Sequence, residues 1–256
     1  MSAPADSPIG VFDSGVGGLS VLRALRACLA DERFVYYADN AYCPYGGRPD
    51  HEIQRRAEFV STQLIQNSCK LIVVACNTAT IAAIAGLRQK FPEVPFVGME
   101  PAVKPACAQT RSGVVGVLAT GAALSGDKFL RLVADHARDV RVVTQPCPGL
   151  VECVEAGELD GPRVRDLLET YLAPLTAAGA DVIVLGCTHY PFLRPVIEQM
   201  LGPQVTVLDA NAAVARQTQR ILDQFGLQAA SGSGSALEIL TSGESNAIKG
   251  FLPLID

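Results

Sequence analysis

The sequence predicts an α/β protein of two pseudo-symmetric lobes, each a mainly parallel sheet flanked by helices, with an active site in the cleft between them. Three observations carry this. Short apolar runs alternate with amphipathic stretches from end to end, two of the runs close on a cysteine, and a Gly-rich strand end recurs along the chain.

In order, strands are predicted at residues 9–12, 34–37, 71–75, 96–98, 114–118, 140–143, 182–185, 205–208 and 237–240. These runs are apolar without alternation, the pattern of parallel strands covered on both faces. Between them, helices are predicted at 19–29, 51–66, 127–136, 162–177 and 196–201, with another closing the chain. Ser231-Gly-Ser-Gly-Ser235 reads as a flexible surface loop before the last strand.

An internal duplication accounts for the rhythm. Ile9-Gly10-Val11-Phe12-Asp13-Ser14-Gly15 aligns with Val115-Gly116-Val117-Leu118-Ala119-Thr120-Gly121 at an offset of 106, and the cysteine-ending strands repeat at 111. Each lobe then opens on a Gly-rich strand end and carries one cysteine about 65 residues later.

Bulk composition narrows the function. The chain has 256 residues, 49% hydrophobic and 18% charged, with a formal charge of −5. Without a basic block, nucleic acid and anionic membrane are not indicated as partners. The first residues lack the basic and apolar regions of a signal peptide, and no apolar run approaches the roughly 18 residues of a membrane span, so a cytoplasmic location is expected. Eight cysteines without a C-x-x-C pair, beside three histidines, argue against a structural zinc site and for reduced, mostly buried thiols.

The chemistry concentrates in four stretches. Asp13-Ser14-Gly15-Val16-Gly17-Gly18 follows the first strand but lacks the dinucleotide and P-loop spacings; its amides suit a small carboxylate, and Asp13 alternatively only caps a helix. Tyr37-Ala-Asp39-Asn40-Ala-Tyr42-Cys43-Pro44-Tyr45-Gly46 reads as a pocket wall, with Cys43 a weaker third candidate thiol. Cys76-Asn77-Thr78 and Cys187-Thr188-His189 stand at strand ends, where open α/β sheets place their sites. Two matched acid/base groups on opposite faces are what inversion of a carbon centre requires. Asn77, Thr78 and Thr188 offer side-chain donors, and His189 is placed to relay a proton for Cys187.

Together, Asp13-Ser-Gly-Val-Gly-Gly-Leu-Ser-Val, Ala38-Asp39-x4-Pro44-Tyr45-Gly46, Cys76-Asn-Thr-Ala-Thr80 and Gly186-Cys187-Thr188-His189-Tyr190-Pro191 resemble the bacterial glutamate racemases of the cofactor-independent aspartate/glutamate racemase family. The resemblance covers nearly the whole chain. It implies interconversion of L- and D-glutamate for peptidoglycan, with no cofactor and no metal, in a cytoplasmic homodimer. It also implies lobes of residues 1–98 with 210–256 and of 99–209. Carried over by position, Cys76 and Cys187 are the two acid/base residues, assisted by Asp13, His189 and Glu155. Ser14, Tyr45, Gly46, Asn77, Thr78, Thr188 and Thr120 match substrate contacts, alongside Asp13.

Two positions depart from the family pattern. Glu152 stands where Pro is frequent, and Ala123 where a second Thr usually holds a substrate carboxylate, so that either binding is expected to weaken or the load to pass to Thr120 and Ser125. Aspartate or broad acidic amino acid racemisation is the near alternative. A non-catalytic amino acid binding protein would not need two thiols, and a thiol hydrolase would need one nucleophile with a dedicated base.

Overall fold

The computed structural model describes residues 4–230, 232 and 236–255, and leaves out the side chains of Ser125 and Ala247. The predicted Ser231–Ser235 loop, apart from Gly232, and the Ser125 hydroxyl therefore fall outside the described residues.

Along the chain, β1 (Ile9–Asp13) leads to α1 (Leu19–Cys28), β2 (Phe34–Ala38), α2 (Asp50–Gln66), β3 (Leu71–Val74), α3 (Asn77–Lys90) and β4 (Phe96–Val97). Next come α4 (Val103–Gln109), β5 (Val114–Ala119), α5 (Gly121–Ser125), α6 (Asp127–His136), β6 (Arg141–Pro146), α7 (Leu150–Glu155) and α8 (Pro162–Ala177). The remainder is β7 (Val182–Leu185), α9 (Arg194–Leu201), β8 (Thr206–Leu208), α10 (Asn211–Phe225), β9 (Leu237–Thr241) and α11 (Asn246–Phe251).

The described residues divide into two compact lobes, one running to Met99 and resuming at Asn211, the other spanning Glu100–Ala210. In the first, five parallel strands lie in the order β4-β3-β1-β2-β9. In the second, four lie in the order β6-β5-β7-β8, again parallel. The duplication read from the sequence holds at the level of topology: β1, β2, β3 and β4 occupy the same order as β5, β6, β7 and β8, and β9 is an addition at one edge. In both lobes the second strand lies on one side of the first and the third on the other. This makes a topological switch point, the place where such sheets bind ligands.

Burial explains the strand positions. β1, β2, β3 and β7 are buried at every residue, as their unbroken apolar runs require. β6 is an edge strand, half-exposed and running past the predicted end at Val143 through Thr144 and Gln145 to Pro146. An edge strand tolerates polar side chains and a proline that an interior strand would not. Helix α1 buries Leu19, Val21, Leu22 and Leu25 and packs against α10, whose inner stripe is Asn211, Val214, Ala215, Thr218 and Leu222.

Away from the strand carboxyl ends, the first lobe encloses an ion pair. Lys70 Nζ lies 2.5 Å from Glu32 Oε2, the two side chains 0% and 5% exposed. Lys70 also donates to the Ala5 carbonyl, and Glu32 Oε1 accepts from the Ala229 N–H at 2.9 Å. Four separated segments therefore meet at one buried pair.

The second lobe has its own polar clasp, at Asp181 before β7. Burial pushes this carboxyl up, but hydrogen bonds from Thr110 Oγ1, the Arg111 and Ser112 N–H groups and Ser112 Oγ outweigh it and hold the pKa at about 2, below the ordinary 3.8. A carboxylate depressed in the folded state stabilises above its unfolded pKa of about 3.9, and that stabilisation is lost as pH falls through the folded value. Asp181→Asn is thus expected to flatten the fall in melting temperature between about pH 4 and pH 2. An unchanged pH slope in thermal melts of variant and parent contradicts this.

Candidate active site

In the first lobe the candidate residues gather at the β1/β3 switch point. Asp13 ends β1 fully buried, and its Oδ2 accepts the Gly18 N–H at 2.8 Å where α1 begins. Asp13 thus ties the end of β1 to the residue that leads into α1. Tyr36, one strand over, donates its hydroxyl to the Gly15 carbonyl at 2.7 Å and fixes the loop from beneath. A Cβ on Gly18 would lie 2.7 Å from Asp13 Cβ and 2.8 Å from the Tyr36 hydroxyl, so only glycine lets the loop close this tightly.

Cys76 lies two residues beyond β3 as the N-cap of α3. Its Sγ accepts the Ala79 N–H at 3.5 Å. A sulfur there lies where the helix dipole favours negative charge. Asn77 and Thr78 form the first turn of α3, both buried. Among the described residues, Asn77 Oδ1 is buried without a hydrogen-bond partner, so this amide holds unused polar capacity beside the thiol. Ser14 is buried at the β1 end, with the Cys43 thiol 3.9 Å from its hydroxyl. Tyr45 and Gly46 lie in a short helical turn, Tyr45–Gly47, where the Tyr45 side chain packs into the same core cluster as Cys76.

The second lobe repeats the plan at the β5/β7 switch point. The chain leaves β7 through Gly186, whose N–H donates to the Leu118 carbonyl at 2.7 Å, and reaches Cys187. Cys187 Sγ lies 3.7 Å from His189 Nδ1, and His189 Nε2 lies 2.6 Å from Glu155 Oε1 at the end of α7. Cys187, Thr188 and His189 are all buried. Thiol, imidazole and carboxylate thus form one continuous line along which a proton can be relayed. Thr120, at the end of β5, caps α5 through its Oγ1, which accepts the N–H of the buried Ala123 at 3.3 Å.

Some neighbours were not legible beforehand. Tyr190 donates to the Cys147 carbonyl at 3.4 Å, and burial first, then the charge of a Cys187 thiolate, pushes the Cys147 thiol up to about 12. Cys147 therefore stays protonated beside the site. Cys69 is likewise pushed up to about 12, chiefly by burial. No disulfide joins any of the eight cysteines. In the first lobe, Asp39 and Arg56 form an ion pair beneath Tyr45 that no local motif announces.

Two α/β lobes of matching topology, each with a thiol and polar donors at its switch point, define a class: an isomerase that racemises amino acids. The chain belongs to the Asp/Glu/Hydantoin racemase family, whose model matches residues 9–218. It is 57% identical over 239 residues to the glutamate racemase of Herpetosiphon aurantiacus, covering 93% of this chain and 94% of that one. Its fold matches the glutamate racemase of Escherichia coli, solved with L-glutamate and an activator, at a TM-score of 0.85 and 32% identity, covering 97% and 94% of the two chains. It also matches that of Francisella tularensis, solved with D-glutamate, at a TM-score of 0.84 and 26% identity, covering 98% and 94%.

Proposed function

We propose that this enzyme interconverts L- and D-glutamate by a two-base proton transfer between Cys76 and Cys187. The observation that carries the reading is the repeated placement of one buried thiol, flanked by hydroxyl or amide side chains, at the switch point of each lobe. One thiolate removes the α-proton while the other thiol delivers a proton to the opposite face of the same carbon. The protonation states are then exchanged, which fits the enzyme for the opposite enantiomer until proton exchange with solvent restores the starting form.

An amino acid α-proton is weakly acidic, so the carbanion must be met by preorganised donors in a water-poor setting. Ser14, Asn77, Thr78, Thr120 and Thr188 supply these for the α-carboxylate and ammonium, with the turn at Tyr45 and Gly46. Asp13 serves Cys76, and the His189–Glu155 pair serves Cys187, holding the imidazole oriented and ready to exchange a proton with the thiol. The reaction as drawn passes through these side chains alone, without cofactor or metal. In the cell, the same reading gives a cytoplasmic homodimer supplying D-glutamate to peptidoglycan. No helix among the described residues is long and apolar enough to cross a membrane.

A substrate panel separates this reading from aspartate or broad acidic racemisation. Chiral chromatography is expected to show D-glutamate formed from L-glutamate, with aspartate at least about 100-fold slower, a discrimination within reach of one misplaced carboxylate. Equal turnover of aspartate would move the assignment to the broad alternative.

Ala123 gives a second test. With no hydroxyl at this position, the substrate carboxylate falls to Ser125 and to Thr120, which also caps α5. Ala123→Thr is expected to lower the KM for glutamate; an unchanged or raised KM in steady-state assays contradicts that role.

A further inference from the structure

We propose that Arg56 is a positioning residue for substrate binding: through Asp39 and Tyr45 it fixes the turn that presents Tyr45 and Gly46 to the substrate. The inference rests on the proposed glutamate site and extends it to a helix with no part in the chemistry.

The turn leaves the carboxyl end of β2 and spans residues 39–48. Loops at such positions are usually among the most mobile parts of an α/β protein. Here the chain is held by buried charge. Asp39 is fully buried and its carboxylate accepts three donors: Arg56 Nη2 at 2.6 Å on Oδ1, and Arg56 Nε at 2.9 Å and the Tyr45 hydroxyl at 2.5 Å on Oδ2. The two guanidinium contacts form a bidentate fork, which fixes the plane of the carboxylate as well as its place. The guanidinium itself is held between aromatic rings, 3.8 Å from the centroid of Tyr42 and 4.7 Å from that of Phe59. Because Tyr42 belongs to the turn and Phe59 to α2, the stack joins the two a second time.

A further set of contacts closes the turn from the other side. Asn40 donates to the Glu244 carbonyl at 2.5 Å and accepts the Gly243 N–H at 2.8 Å, and the Ala41 N–H donates to Ser242 Oγ at 3.1 Å.

A buried ion pair is by itself weak evidence for stability, since desolvation offsets much of the attraction; its best-attested use is to specify register. Register is what this pair controls. Tyr45 cannot exchange its proton near neutral pH: burial, followed by the Asp39 charge, drives the phenol far above its ordinary range. It is a permanent donor to Asp39, so its contribution is geometric. The line from Arg56 through Asp39 and Tyr45 therefore ends in a fixed placement of the Tyr45–Gly46 backbone, two contacts away from the guanidinium.

Arg56→Lys tests this, because lysine keeps the charge and loses the fork. The expected result is a KM for glutamate raised about tenfold with kcat within about threefold of the parent, the signature of lost binding shared equally by ground state and transition state. A merely structural defect would lower the active fraction and hence apparent kcat, leaving KM where it was. Tyr45→Phe is expected to raise KM similarly, and the double variant to be no worse than the more severe single one, since both act on one line of contacts. An unchanged KM in Arg56→Lys, or single effects that multiply in the double variant, overturns the inference. An unmutated protein that neither binds nor racemises glutamate overturns the site assignment and this inference with it. That result is read before any variant is made, so the two failures are distinguishable.

Discussion

Cys76→Ser and Cys187→Ser are each expected to lower kcat for racemisation by roughly 10²- to 10⁴-fold, the span that a positioned acid/base group contributes. Serine keeps the size and polarity of the side chain but not its acidity, so the site is preserved while one proton carrier is lost. Both thiols are buried, Cys76 5% and Cys187 7% exposed, and neither substitution removes enough volume to open a damaging cavity. The two variants are also expected to fail in opposite senses. Each retains α-proton removal from one enantiomer and loses it from the other, as a one-enantiomer exchange assay in deuterated water would read. Full racemase activity in either variant, by polarimetry or chiral chromatography, would refute the two-base assignment.

The second large effect is on stability and lies away from the chemistry. Lys70→Met leaves the Glu32 carboxylate buried with its cation gone. Breaking a buried pair in this way costs about 3–5 kcal/mol, or roughly 10 °C in melting temperature for a chain of this size. The loss belongs to the first lobe, because Lys70, Ala5, Glu32 and Ala229 all lie in it. Unfolding need not be a single transition in a two-lobed protein, so calorimetry with both transitions resolved is the proper measurement. Lys70→Met combined with Glu32→Gln removes both charges and is expected to recover part of the loss. A shift under 2 °C in the single variant would show that the pair contributes little.

Much of the architecture was legible because buried parallel strands announce themselves as apolar runs. Every predicted strand is present, and the equivalence of the two sheets followed from the repeat of Gly-rich and cysteine-ending segments. Helices were harder to read. Helix α3 follows Cys76 as Asn-Thr-Ala-Thr-Ile-Ala-Ala-Ile-Ala-Gly, where small residues buried on several sides leave no polar face to mark the period. Helix α10 escaped because its inner stripe includes Asn211 and Thr218, which dilute the apolar signal.

At the site, contiguous motifs could be read directly, whereas partnerships could not. The contact between Cys187 and His189 could be read from their spacing, whereas Glu155, 34 residues from His189, was named only from family resemblance. The fork from Arg56 to Asp39 bridges 17 residues between a helix and a strand end, and one arginine in an amphipathic helix resembles any other until the fold places it. Cys43 shows the converse: its thiol comes within reach of the Ser14 hydroxyl, a contact no reading of the turn alone would give.

The central claim is that two different groups handle the proton on the two faces of one carbon. The most direct test is to start the enzyme on pure L-glutamate in deuterated water and measure, by mass spectrometry at low conversion, the isotope at the α-carbon of the D-glutamate formed. Two bases predict that essentially all early D-glutamate carries deuterium, because the incoming hydron is delivered by a thiol that never held the substrate's own proton. Early D-glutamate that keeps a substantial share of the original protium would mean that one group both removes and returns the proton, and would contradict the account.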